Sequence, residues 1–261
     1  MALVDALFTA TSAVCVTGLI VVDTGSYFTP FGQGVILGLI QVGGLGIMTF
    51  SVLFYSLLGS SIRLRDRIVV QSSFTTGQRG DILDLVKSIF LYTFVVEAIG
   101  AALLFMAWPE GLSHSKALWI AIFHSISAFC NAGFSLFKDS FVGYQFNWWI
   151  NLIVTSLIIA GGLGFIVLEE MGKWLRQKAT KKGRPRLSLH SKIVLTTTAC
   201  LILGGGVLFF LLESGDCLAS APLHGKILAS YFQSVTARTA GFNTVDIYAP
   251  VSYTHLTLPT N

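Results

Sequence analysis

LFTATSAVCVTGL (Leu7–Leu19), IFHSISAFCNAGF (Ile122–Phe134) and YFQSVTARTAGF (Tyr231–Phe242) are one pattern written three times. They align at Phe8, Phe123 and Phe232, at the small pairs Ser12-Ala13, Ser127-Ala128 and Thr236-Ala237, and at Gly18, Gly133 and Gly241; the third copy is one residue shorter. The glycines stand 115 and 108 positions apart, a period that belongs to a whole structural unit. A second motif recurs in step with the first. Gly-Gly-Leu-Gly occurs at Gly43–Gly46 and again at Gly161–Gly164, each time in the apolar stretch that follows a copy of the first motif.

The medium around these repeats follows from composition. Of 261 residues, 53% are hydrophobic and 11% charged, with a mean hydropathy of +0.73, whereas a soluble domain carries about 25% charged residues. A soluble enzyme is excluded, and a polytopic membrane protein is expected. Four uncharged or nearly uncharged stretches reach the ~20 residues that cross a ~30 Å hydrocarbon core: Gly34–Leu58, Ser88–Trp108 (interrupted by Glu97), Trp148–Leu168 and Ile193–Leu212. The repeated motifs lie in three less regular stretches: Ala6–Val22, Ala117–Phe137 and Ile227–Val245. Twenty-six glycines point to close helix packing or unusual backbone. The four cysteines show no metal or disulfide spacing.

Charge decides how the irregular stretches sit. Thirteen of the 17 basic residues lie in two segments, Arg63 to Lys87 and Lys173 to Lys192. If Ala117–Phe137 crossed the membrane, those segments would face opposite sides; if it enters and leaves by one face, both are cytoplasmic, as the positive-inside rule requires. The stretch therefore reads as a re-entrant pore segment, and its two counterparts as the same. The net charge of +4 is thereby explained as topology, with no nucleic acid implied.

The fold class expected is an all-α polytopic membrane protein of tandem outer helix, pore loop and inner helix repeats, as in potassium channels. Residues 1–58 form repeat 1 without its outer helix, 59–87 a cytoplasmic linker, and 88–168 the complete repeat 2. Residues 169–192 form a basic cytoplasmic loop, and 193–250 repeat 3 without its inner helix. No fourth repeat is present. VSYTHLTLPT (Val251–Thr260) has no helical period and is similar to a translated transposase adapter of sequencing libraries, so 251–261 reads as a non-native tail.

Irregular backbone at membrane depth is tolerated where it is buried in protein or lines a water-filled cavity. Three such segments in one repeated context imply a pore around a pseudo-symmetry axis. An extended stretch at a pore helix end can aim carbonyl oxygens at that axis and replace the hydration shell of a monovalent cation, while the helix C-terminus adds partial negative charge. The expected carbonyls are those of Val16, Thr17 and Gly18, of Asn131, Ala132 and Gly133, and of Thr239, Ala240 and Gly241. For Gly43–Gly46 and Gly161–Gly164, in mid-span, packing is expected rather than a hinge.

Ala6–Gly25, Phe123–Phe137 and Gln233–Ile247 closely resemble the first three pore loops of the KtrB-type subunits in the Trk/Ktr/HKT potassium transporter superfamily, and the resemblance runs from Met1 to about Ala249. It implies potassium uptake through a filter to which each of four repeats gives one glycine, with potassium as substrate and no other cofactor or metal. It also implies a homodimer of the full-length subunit in the bacterial cell membrane, regulation by a KtrA-type cytosolic nucleotide-binding ring, and an occasional link to sodium. The basic segment 173–192 lies on the side where that ring would dock, although a solvated positive-inside loop accounts for its charges. With three of four repeats, this chain alone is expected to be inactive.

Arg238 and Glu97 are charges at membrane depth. Arg238, three positions before Gly241, is expected to point away from the ion path and to be held by carbonyls or a carboxylate; for Glu97 the alternatives are to be that partner or to lie near a wet cavity. His124 is expected to hydrogen-bond locally, and Cys15 and Cys130 to pack. Two competing readings are sodium or weakly selective cation conduction, and a non-conducting membrane scaffold. An intramembrane enzyme is disfavoured, because no paired carboxylates, nucleophile–base pair or metal cluster falls at matching depth.

Overall fold

A computed structural model describes residues 3–46, 82–108, 111, 113–180, 187–215, 217–219 and 221–245, with side chains from residue 86 in the second of these segments and without that of residue 179. The far half of the Gly34–Leu58 span, most of the 59–87 linker, the centre of the basic loop and the 251–261 tail lie outside the described residues.

Among the described residues the chain is helical and has no strand. In order, the helices are α1 (Leu3–Val14), the single turn α2 (Thr24–Tyr27), α3 (Pro30–Leu45), α4 (Ile82–Ala107), α5 (His114–Phe129), α6 (Trp148–Leu163), α7 (Phe165–Ala179), α8 (Leu189–Glu213) and α9 (Leu223–Thr239). Their starts are written locally. Pro30 opens α3 behind Thr29, whose hydroxyl accepts from Gly32 N–H at 3.3 Å; Asn147 Oδ1 caps Ile150 N–H of α6 at 3.2 Å, and Ser188 Oγ caps Ser191 N–H of α8 at 3.2 Å.

Length separates two kinds of helix. At 1.5 Å per residue, α4 and α8 run about 37–39 Å and are long and apolar enough to cross a membrane. By the same rise α1 is ~18 Å and α5 and α9 are ~24–26 Å, short of the hydrocarbon thickness. Among the described residues α5 and α9 each follow a long helix, whereas α3 and α6, at 16 residues each, are as short as α5.

Trp148–Leu168, read from sequence as one span, is instead two helices bent by 108°. The break is Gly164, at φ +82° and ψ 152°, a backbone state that side-chain-bearing residues rarely adopt. α3 ends on Gly46 in the same way, at φ +81° and ψ 135°. The first half of the expected basic loop is thus the helix α7, which carries Lys173, Arg176 and Lys178. It is tied to the start of α8 by Glu170, whose Oε2 accepts from Ser191 Oγ at 2.6 Å, Ser188 Oγ at 2.8 Å and Ser188 N–H at 3.1 Å. These hydrogen bonds, the Ser191 hydroxyl foremost, hold the Glu170 carboxyl below its ordinary pKa.

The largest core joins α4, α5, α6 and α9: Leu104, Ile120, Ala121, Ile150, Val154, Leu157, Phe232 and Val235 are buried together with Phe141 and Phe242. A second core packs α1 and α3 on α5 through Ala13, Ile36, Ile40, Phe123 and Phe134. Two close approaches repeat. A Cβ on Gly100 of α4 would lie 2.5 Å from Ser125 Oγ of α5, and one on Gly205 of α8 would lie 2.6 Å from Ser234 Oγ of α9. Each serine donates to the outer helix at 2.7 Å, Ser125 to Glu97 O and Ser234 to Ile202 O. Glu97 and Ile202 both precede their glycine by three positions, so the two outer helices meet their short helices in one register.

Candidate functional site

The three short helices end in related turns. After α1, Val16 takes φ +54° and Thr17 N–H reaches Ser12 O at 2.9 Å; after α5, Asn131 takes φ +57° and Ala132 N–H reaches Ser127 O at 2.8 Å. A left-handed residue with a bond back across five positions is the Schellman way of closing a helix. After α9, one residue shorter, Ala240 N–H bonds Thr236 O at 2.9 Å without a non-glycine left-handed residue. All three turns then pass through a left-handed glycine: Gly18 at φ +82°, Gly133 at +74° and Gly241 at +73°.

These glycines adjoin one another. A Cβ on Gly18 would stand 2.6 Å from Ala132 O and 3.4 Å from Gly133 Cα, and one on Gly133 would stand 2.5 Å from Ala240 O and 3.4 Å from Gly241 Cα. Each loop therefore turns its glycine's bare side to the carbonyl of the next. Gly241 is different: within 4 Å its Cβ position meets Gly133 Cα, at 3.7 Å, and no further loop among the described residues. Thus Gly18, Ala132, Gly133, Ala240 and Gly241 come together directly, and Val16, Thr17, Asn131 and Thr239 are their chain neighbours. The return segments also touch. A Cβ on Gly25 would meet Leu136 O, and Phe141 N–H donates to Asn243 O at 2.8 Å while Asn243 N–H donates to Ser140 Oγ at 3.1 Å. Past the first two glycines an open cavity of about 390 Å³ is lined by Asp23, Gly25, Leu136, Lys138 and Asp139, among others.

The Gly-Gly-Leu-Gly motifs back these loops, and their glycines divide the work. The first packs on its own loop: Cβ atoms on Gly43 and Gly161 would fall 1.9 Å from Val14 O and 1.7 Å from Phe129 O. The second differs between the copies: Gly44 faces the next loop, with Cys130 Sγ at 2.4 Å, whereas Gly162 lies between Asn131 Nδ2 of its own loop at 3.7 Å and Thr239 Oγ1 of the next at 3.9 Å. The last, Gly46 or Gly164, supplies the break. The expectation of packing alone was therefore too simple, because a run of four small residues serves both close approach and chain reversal. Cys130 packs, whereas Cys15 is exposed.

Arg238 reaches outward to α8, where Nη2 donates to Thr198 Oγ1 at 3.4 Å. Its partner among the described residues is a hydroxyl, not the carbonyl or carboxylate expected, and Glu97 is engaged elsewhere. Glu97 is buried; its Oε1 accepts from Gln41 Nε2 of α3 at 3.0 Å and lies 3.9 Å from Cys130 Sγ. Glu97 Oε2 and Gln41 Oε1 are buried without a hydrogen-bond partner among the described residues. His124 is a structural anchor: Nδ1 pairs with Ile120 O at 2.8 Å, Nε2 accepts from Leu136 N–H at 3.3 Å, and the ring stacks on Phe137 at 4.9 Å. The sequence reading missed Gln41, which no local motif marks. It also missed the Gly100–Ser125 and Gly205–Ser234 contacts, which a comparison of the outer helices in the repeat register would have found.

The sequence profile of the TrkH family, described as a cation transport protein, matches residues 1–258. Ktr system potassium uptake protein B of Bacillus subtilis (strain 168) is 46% identical over 245 residues, 93% of this chain and 54% of that protein. Potassium/sodium uptake protein NtpJ of Enterococcus hirae is 38% identical over 256 residues, 98% of this chain and 55% of that one. Ktr system potassium uptake protein B of Vibrio alginolyticus is 41% identical over 249 residues, covering 95% and 54%. The crystal structure of the potassium transporter TrkH from Vibrio parahaemolyticus superposes with a TM-score of 0.66 at 20% identity, over 96% of this chain and 47% of that one, a likeness of fold. The chain spans about half the length of the curated relatives it matches.

Proposed function

The chain belongs to the TrkH family of cation transport proteins, a transporter family and not an enzyme family, and from that premise we propose that it carries three loops of a potassium uptake pore. The observation that supports this best is the apposition of Gly18, Gly133 and Gly241, left-handed and bare towards one another at the ends of three short helices. In this reading the carbonyls of Val16, Thr17 and Gly18, of Asn131, Ala132 and Gly133, and of Thr239, Ala240 and Gly241 take the place of water around potassium. A scaffold would not require three glycine turns to meet at one place, two of them behind a left-handed residue that bears a side chain.

In this reading a fourth loop adjoins Gly241, beside which no further loop lies among the described residues, and the three loops alone are expected to carry no selective flux. In the same reading, which the long apolar helices support, the subunit lies in the cell membrane with segments 59–87 and 169–192 cytoplasmic. The working form is a homodimer of the full-length subunit that engages a KtrA-type nucleotide-binding ring. Sodium-linked or sodium-permeable transport is the second reading, favoured by the printed name of the Enterococcus relative, a potassium/sodium uptake protein.

Cells lacking their own potassium uptake provide the test. The full-length reading frame is expected to restore growth on low potassium and saturable potassium uptake, with sodium taken up more weakly. Equal uptake of both ions would move the assignment to the sodium-permeable reading, and no uptake of either would remove the pore altogether.

A further inference from the structure

Asn131 takes one of three left-handed non-glycine conformations among the described residues, and its side chain does something its counterpart cannot. With the amide oriented by its hydrogen bonds, Nδ2 donates to Ile158 O at 3.2 Å and Oδ1 accepts from Gly162 N–H at 3.2 Å. Ile158 and Gly162 are the two ends of one i to i+4 step of α6, so a side chain from the second pore loop bridges a rung of the inner helix. That rung ends two residues before Gly164, where α6 bends by 108° into α7. Helices bend where a side chain engages the hydrogen-bond ladder or where glycine permits it, and here the two coincide. In the first loop the equivalent residue is Val16, whose Cγ2 lies 3.0 Å from the Cβ position of Gly43. It makes an apolar contact at the matching place and offers no bridge.

We propose that Asn131 is a positioning residue: its amide locks the second pore loop to the break in the second inner helix and thereby sets ion selectivity. The proposal rests on the pore reading above and adds to it a role for a side chain where that reading used backbone carbonyls. Asparagine is also favoured in left-handed backbone for its own sake, so the backbone and amide roles must be separated. Glycine separates them, because it adopts φ +57° freely and has no amide.

The test uses the full-length subunit, wild type and Asn131→Gly, with two readouts. The first is the ratio of apparent KM values for potassium and sodium uptake. The second is the distance distribution between spin labels at Leu152 on α6 and Arg176 on α7, both exposed, which reports the bend. In Asn131→Gly the potassium preference is expected to fall about tenfold, a factor in keeping with the net loss of roughly one hydrogen bond, and the label distribution to broaden. Asn131→Asp, which keeps the shape and loses the donor to Ile158 O, is expected to do the same and serves if the glycine variant folds poorly. Wild-type selectivity in the variants overturns the proposal, and so does a wild-type label distribution. A wild-type subunit without potassium preference overturns the pore reading instead, while the label distances still report whether the amide holds the bend.

Discussion

Gly133 is the residue on which the site is most exposed to a small change. Its φ of +74° would cost a side-chain-bearing residue about 1–2 kcal/mol, and the Cβ would lie 2.5 Å from Ala240 O, so the added carbon must push two loops apart. In the full-length subunit Gly133→Ala is expected to fold and reach the membrane but to lose at least tenfold in potassium over sodium preference, measured by competitive uptake. Glu97 and Gln41 give a separate residue-scale prediction. Removing one partner strands a buried polar group at about 1–3 kcal/mol, whereas replacing both with apolar groups is close to neutral. Thermal midpoints in detergent should therefore fall for Glu97→Leu and recover in Glu97→Leu/Gln41→Leu; equal loss in both would disprove the coupling. The alignment of three glycines was readable from the chain because a left-handed requirement restricts a position to very few residue types. Gln41 was not readable, since its meaning comes from a partner 56 residues away.

At the scale of elements, the two motif glycines Gly161 and Gly164 should respond in opposite ways to the same substitution. An alanine at Gly161 would place its Cβ 1.7 Å from Phe129 O, a backbone atom that cannot give way, while at Gly164 nothing lies within 4 Å and the cost is conformational alone. Gly161→Ala is expected to abolish folded yield on size-exclusion chromatography, and Gly164→Ala to leave yield intact and shift the α6–α7 bend. The tie between α7 and α8 adds a pH dependence. Because the Glu170 carboxyl titrates below its unfolded value, its contribution is present above the ordinary glutamate pKa and is lost as pH falls through the lowered one. Protection factors for amide exchange near Ser188–Ser191, each referred to the intrinsic rate at that pH, should fall on acidification in the wild type and be low at every pH in Glu170→Gln; a wild-type profile in that variant would rule the tie out. The sequence showed where apolar stretches lie but not that Trp148–Leu168 breaks, because a glycine in a helical run reads alike whether it packs or turns the chain.

For the whole molecule, the ends of three short helices, α1, α5 and α9, bring three loops to one place. Two cues in the sequence pointed to this: the recurrence of one motif at intervals near 110 residues, and basic residues gathered into two segments, from which a re-entrant stretch between them is expected. What stayed hidden was the interlocking, in which Gly18 and Gly133 each turn a bare side to a carbonyl of the next loop and Gly44 faces Cys130. That arrangement needs the third dimension, since the contacting residues lie in different repeats. It also makes the loops a cooperative set, in which a change at one glycine is felt at the next. The claim that these loops form one cation path is tested most directly by anomalous diffraction from the full-length subunit crystallised with thallium(I), an electron-dense mimic of potassium. The account predicts a peak enclosed by the backbone carbonyls at Gly18, Gly133 and Gly241 that fades as potassium replaces thallium; carbonyls turned away from the space between those glycines, with thallium bound elsewhere, would contradict it.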